Sequence, residues 1–230
     1  MVTNTFNISA DEWKAVTTAA EKGDLEAVRA YLDAGGDVNR NDGIGGATLL
    51  MWTTLEKRDD IAALLLERGA DVNIPDTNYR ETALHWAATT GAEKIAAMIL
   101  EKNPGIDLAD SNGQTALMAT AIRGQPEVAR LLLGRGATID LADHEGKTAL
   151  DHAKEVAQGE TVEAALKRVD VATMLVEVAA KREADAKAAR DAIEAALKLT
   201  AETIDACRNG TRQAVTLSRR LQFKPPVSAR

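Results

Sequence analysis

Apolar positions along the chain fall in short bursts of helical period, separated by polar stretches rich in Gly, Asn and Asp. Between Thr82 and Asn103 the sequence reads TALHWAATTGAEKIAAMILEKN. Leu84, Ala87 and Ala88 mark one face of a first helix. Gly91 ends it, because glycine enters the left-handed backbone region at little cost. Ile95, Ala96, Met98, Ile99 and Leu100 mark a second helix, which NPG at 103–105 breaks. The stretch IDLADSNGQ follows as a polar turn, and Thr115 is placed to cap the next helix through its hydroxyl.

The same pattern recurs in register. Thr48 to Thr82 is 34 residues, and the steps from Thr82 to Thr115 and from Thr115 to Thr148 are 33 each. A second motif keeps that beat as AYLDAGGDVN (30–39), LLLERGADVN (64–73), MILEKNPGID (98–107) and LLLGRGATID (131–140). Neither helix of a unit can hide its apolar face alone. Stacking unit on unit buries it, so the expected architecture is a solenoid with nearest-neighbour contacts.

The recurring G-x-T-x-L-x-x-A and G-A-D-V-N patterns, at Gly46–Thr53, Gly69–Asn73, Gly113–Thr120 and Gly146–Ala153, resemble the ankyrin repeat. The resemblance covers roughly residues 11–180. It implies an all-α ankyrin-repeat solenoid of about five repeats, each with two antiparallel helices and a β-hairpin finger. Departures from the pattern are informative. Leu49, Ala83, Ala116 and Ala149 replace the usual proline after Thr. Lys57 stands where other units carry Gly91 and Gly124, which predicts a less comfortable helix end. Two fingers are a residue longer, with six steps from Asp42 to Thr48 and from Asp76 to Thr82, against five in the next two.

The ends differ from the middle. SADE at 9–12 reads as a capping box with Ser9 at the N-cap, so the first unit, about 11–42, is a terminal cap. In the fifth unit DVATMLVE (170–177) aligns with EVARLLLG (127–134), with about ten extra residues near 157–168. They are expected to lengthen a helix or add a turn. Residues 1–180 form the expected repeat domain and 181–230 a helical C-terminal extension. Lys181 to Cys207 is Ala-rich without Gly or Pro, which predicts helix until NG at 209–210. Its stripe of Ala189, Ile193, Ala196, Leu197, Thr200 and Ile204 either packs on the last repeat or binds another chain. A second short helix is expected from about 211 to Gln222, stopped by Pro225 and Pro226.

Composition narrows the picture. Hydrophobic residues are 45% of 230 residues but aromatics only 3%, so Ala, Leu, Val and Ile must do the packing, as in close helices. Residues 208–230 carry six basic residues and no acid, which leaves −13 on 1–207. The acidic body repels nucleic acid, so such binding is expected at most through the basic tail. No apolar run approaches roughly 18 residues, so no membrane contact is expected. MVTNTFNISADEW has no basic stretch leading an apolar run, which points to a cytoplasmic protein, with export by a route needing no such signal as the alternative.

Candidate chemistry is thin. His85, His144 and His152 are the only histidines, and neither paired Cys ligands nor His-Glu-x-x-His is present. No metal, cofactor or catalytic residue is expected, and the chain is read as no enzyme. His152 and Asp151 point about 100° apart on a helix and cannot pair alone. Cys207 reads as a small buried hydrophobe, and GIGG at 43–46 as a long finger tip. His85 holds the family's TALH position, where the resemblance implies hydrogen bonds between neighbouring fingers.

The resemblance also implies a protein partner, met by finger tips and the exposed face of the first helices. By position these are Ile44, Leu55, Asn78, Tyr79, Arg80, Asn112, Ile122 and Arg123. Tyr79 and Arg80 stand out, since other fingers have Gly at the Arg80 position and both types anchor interfaces. Trp52 and Trp86, one repeat apart, form either an exposed aromatic strip in the concave groove or a brace between repeats. A protein-binding module is the expected function. An inhibitor or immunity-type antidote that occludes an enzyme or toxin is the alternative, and nucleic-acid binding through the tail a third.

Overall fold

The structure is a computed structural model that describes residues 9–41, 43, 45–154 and 162–208, with side chains of 167–191 within the last helix. The described residues form ten helices and no strand. They are α1 (Ala10–Lys22), α2 (Leu25–Asp33), α3 (Leu49–Leu55), α4 (Asp59–Glu67), α5 (Ala83–Thr90), α6 (Glu93–Leu100), α7 (Ala116–Arg123), α8 (Pro126–Gly134), α9 (Ala149–Lys154) and α10 (Val162–Arg208). The chain divides into two units, Met1–Val178 and Ala179–Arg230.

Helix pairs stack in sequence order. The inner row runs α1, α3, α5, α7, α9, each touching the next, and the outer row runs α2, α4, α6, α8. Burial follows the period read from the sequence. Leu84, Ala87, Ala88, Ile95, Ala96 and Ile99 are all nearly inaccessible. The predicted capping box is present: the Glu12 amide donates to Ser9 Oγ, and the Ser9 amide donates to the Glu12 carboxylate at 2.7 Å. Thr48 and Thr115 accept from the amides of Met51 and Met118 at 3.4 Å, which satisfies one orphan donor in each inner helix.

The expected β-hairpin fingers carry no strand among the described residues. Only single antiparallel bridges form at their bases, Asn41 with Thr48, Ala109 with Thr115 and Ala142 with Thr148. In the third, fourth and fifth fingers one buried or half-buried Asp organises the tip. Asp110 Oδ1 accepts from the Asn112 and Gln114 amides, and Asp143 Oδ1 from those of Glu145 and Lys147. Asp76 Oδ1 takes the Tyr79 amide at 2.8 Å.

Among the described residues, three non-glycine residues have left-handed backbone: Lys57 (φ 52), Arg80 (φ 59) and Asn103 (φ 51). Each stands where other repeats put glycine. Lys57 matches Gly91 and Gly124, Arg80 matches Gly46 and Gly113, and Asn103 matches Gly69 and Gly136, all at positive φ. The repeat imposes the backbone, and the side chain there only decides what it costs.

The fifth repeat resolves one expectation. Of the inserted stretch, 162–168 belongs to α10, so these residues lengthen the helix. Val171 and Leu175 are buried, at the position of a second repeat helix, and Arg168 donates to the His152 carbonyl. Helix continues through Lys181 to Arg208, as predicted. Residues 181–191 are exposed, Ala189 among them. The remaining stripe side chains, the NG stop, the expected helix after 211 and the basic tail beyond Arg208 lie outside what is described.

Candidate functional site: concave face and finger tips

Two hydrogen-bond ladders fix how fingers sit side by side. At the tips, Thr77 N donates to Gly45 O (2.8 Å), Ser111 N to Tyr79 O (2.7 Å) and His144 N to Asn112 O (2.9 Å). Lower down, the last residue of three of the four DVN-type motifs reaches the next repeat. Asn39 Oδ1 accepts from Asp71 N, Asn73 Oδ1 from Gly105 N, and Asp107 Oδ1 from Thr138 N. Because one backbone bond ties each of these tips to the next, the side chains there are presented by a shared frame.

His85 adds a third tie. Its Nδ1 accepts from the Thr82 amide at 3.2 Å, so the ring proton sits on Nε2, which donates to the Gln114 carbonyl at 3.1 Å. Burial pulls its pKa below the ordinary imidazole value, against the opposing pull of the Gln114 carbonyl and Asp110. The ring is 2% exposed and neutral, with both nitrogens used.

His152 has a partner that its neighbour Asp151 does not supply. Asp143, nine residues back, meets Nε2 at 2.7 Å, and both side chains are buried. Burial pushes the Asp143 carboxyl up, but the Lys147 amide, the His152 ring and the Glu145 amide outweigh it and hold it low. This pair repeats an arrangement two units earlier, where Trp86 Nε1 donates to Asp76 Oδ2 at 3.3 Å. Both residues lie four positions after the motif Thr, so the pair braces finger to helix. The sequence held the clue in that register, which the adjacency of Asp151 obscured.

Trp52 and Trp86 pack edge to face, with ring centroids 6.0 Å apart at 74°. Both stay half-buried, so they brace repeats two and three and still show an edge. Leu55 is 39% exposed at the end of α3. Asn78, Arg80, Asn112 and Arg123 are exposed, Ile122 is half-buried, and Tyr79 is 61% exposed, so its ring is not packed away on a neighbouring finger. Ile44 lies outside the described residues.

Ile122 and Arg123 share a small cleft of about 80 Å³ with Glu81, His85, Asp110 and Gln114. Burial raises the Glu81 carboxyl above the usual range, Asp76 and Asp110 raise it further, and Arg123 opposes them. Glu81 and Gln114 were not singled out by sequence, since each is one of many polar finger residues. Only the inward turn of the finger separates them from their exposed neighbours.

A family model for ankyrin repeats, built of three copies, matches residues 16–110 and 102–177. The chain belongs to the ankyrin-repeat family. No curated protein matches it. Ankyrin repeats serve in general as protein–protein interaction modules, and the family is typically non-enzymatic. No described helix of this ankyrin-repeat protein is long and apolar enough to cross a membrane. The exposed leucines Leu108 and Leu141 add apolar surface at equivalent finger positions, 41% and 37% exposed.

Proposed function

We propose that the chain binds a partner protein through the concave face of repeats two to four, with Tyr79 and Arg80 as anchors. The face comprises Trp52, Leu55, Trp86, Ile122 and Arg123, bordered by Asn78 and Asn112 at the tips. Ile44, next along the second finger, belongs to the same set by its place in the sequence. The chain acts by holding, without turnover. Its two buried histidines support this, since both ring nitrogens of His85 and Nε2 of His152 are engaged in ties within the scaffold.

One observation carries the reading. Arg80 keeps φ at 59 where sister fingers use glycine, beside a tyrosine that is 61% exposed. A left-handed arginine costs backbone energy, and a large exposed ring gives little back to the fold. Tyrosine and arginine return that cost at an interface. Affinity capture from the native cell, run with wild type and a Tyr79→Ala/Arg80→Ala variant, tests it. The partner should be lost from the variant while its melting temperature holds. Full recovery of the partner by the variant would remove these residues from the contact.

A further inference from the structure

The third finger is built differently from the two that follow it. In the fourth and fifth, the amide of the organising aspartate donates to a carbonyl four residues on, Asp110 N to Gln114 O (2.9 Å) and Asp143 N to Lys147 O (3.0 Å). In the third the span is five residues, Asp76 N to Glu81 O (2.8 Å). The extra residue changes what the carboxylate reaches. Asp110 and Asp143 take amides two and four residues on. Asp76 Oδ1 takes the Tyr79 amide, three residues on, at 2.8 Å. Tyr79 and Arg80 therefore lie between two bonds to one residue, the Asp76 side chain at the Tyr79 amide and the Asp76 main chain at the Glu81 carbonyl.

The other carboxylate oxygen reaches a helix. Asp76 Oδ2 accepts the Trp86 indole N–H at 3.3 Å, and the Trp86 ring packs edge to face on Trp52. Bonds to a carboxylate are stronger than neutral ones, and a carboxylate held at both oxygens has little freedom to turn. The Tyr79 carbonyl is tied as well, by the Ser111 amide of the fourth finger at 2.7 Å. The Tyr79 ring meanwhile stays 61% exposed, whereas Asp76 is 4% exposed, too little for a partner to contact. An anchor whose backbone is already ordered loses less freedom when it binds.

We propose that Asp76 is the positioning residue of the binding face: its carboxylate joins the Tyr79–Arg80 tip to the Trp52–Trp86 pair, so that finger and groove are presented as one preorganised surface. This role rests on the protein-binding reading. It also places the anchor on this finger and not on the next two. The longer span brings Tyr79 to the carboxylate, and Trp86, four residues after Thr82, supplies the second donor. In the fourth unit Ala119 stands at the place of Trp86 and has no side-chain donor to offer. In the fifth, His152 meets Asp143 Oδ2, but the tip amide on Oδ1 belongs to Glu145 and carries no aromatic ring.

Amide hydrogen exchange of the ¹⁵N-labelled full chain tests it, read at Tyr79 against Lys147, whose amide Asp143 holds in the fifth finger. Trp86→Phe keeps a ring against Trp52 and removes the indole N–H. If Asp76 joins its two arms, that change on α5 should speed exchange at the Tyr79 amide several-fold and leave Lys147 at the wild-type rate. Asp76→Asn keeps one acceptor oxygen for two donors, so it should speed Tyr79 at least as much. Adding Trp86→Phe to it should bring no further gain, as for two changes in one network. Where Asp76→Asn fails to fold, Trp86→Phe decides alone. Wild-type exchange at Tyr79 in Trp86→Phe overturns the proposal. So does equal acceleration at Tyr79 and Lys147, which is a general loosening. The measurement needs no partner, so its failure leaves the protein-binding reading standing. A partner fully retained by Tyr79→Ala/Arg80→Ala would instead remove that reading, whatever the exchange shows.

Discussion

Lys57 and Arg80 pose the same backbone problem with different surroundings. Both are exposed and both hold positive φ where sister repeats have glycine. Replacing a left-handed L-residue by glycine removes a steric penalty of about 1–2 kcal/mol and adds about 0.5–1 kcal/mol of unfolded-state entropy. Lys57→Gly should therefore raise stability by about 0.5–1 kcal/mol, seen as a higher denaturant midpoint with unchanged slope. Arg80→Gly should do the same to the midpoint yet weaken capture of the partner. If both substitutions leave binding alone, Arg80 is only a second Lys57, and the finger-tip anchor is lost. The sequence made both residues visible, because each interrupts a column of glycines. Asn103 interrupts such a column too, but asparagine tolerates left-handed backbone, so the worn NPG motif keeps its turn.

At the scale of a helix with its finger, His85 is the titrating tie. Its pKa lies below the ordinary value of about 6.5 because the ring is buried, so the unfolded chain takes up that proton first. The stability it contributes is complete above about pH 6.5 and is lost as pH falls through that value toward the folded pKa. Repeats two and four show a non-titrating alternative at this place, Met51 and Met118, whose sulfurs take the Thr amide at 3.5 Å. His85→Met should flatten the stability loss between about pH 7 and pH 5. At about pH 8 it should cost about 0.5–1.5 kcal/mol, because the Gln114 carbonyl loses its donor. Urea melts of both proteins at the two ends of that range check it. An equally steep acid loss in the variant would place the titration elsewhere. The His85 tie was legible from TALH. The tip ladder was not, because its acceptors are the carbonyls of Gly45, Tyr79 and Asn112 and carry no residue signature. The Asp143–His152 pair was hidden for a related reason: its spacing makes sense only when finger length is counted together with helix register.

Across the whole repeat array, each unit is stabilised by its neighbours, and the side chains that reach across say how. Arg58 Nε donates to the Glu21 carbonyl at 2.9 Å, Arg135 Nη1 to the Leu100 carbonyl at 2.7 Å, and Arg68 meets Asp33 at 2.8 Å. In each case an arginine near a helix end reaches a residue at or beside the end of a helix in the preceding repeat. Carbonyls in the last turn of a helix lack helical donors, so the Arg58 contact satisfies one across the repeat boundary, while Arg135 adds a second donor to the Leu100 carbonyl, which the Asn103 amide also reaches at 3.4 Å. The thirty-three-residue period exposed the stacking order, but the length of α10 came only from the structure, since the extra residues of repeat five have no copy to be aligned with. Stability in such an array is a sum of unit and interface terms. Leu84, 1% exposed on α5, sits in a helix with α3 on one side and α7 on the other. Leu84→Ala should cost roughly 2–5 kcal/mol. Its effect should spread by adjacency, lowering amide-exchange protection in α5 first, then in α3 and α7, and least in α1. Protection lost evenly along the array would instead mean that the repeats open only together, and wild-type exchange in α5 would mean that Leu84 does not carry the interface its burial assigns to it.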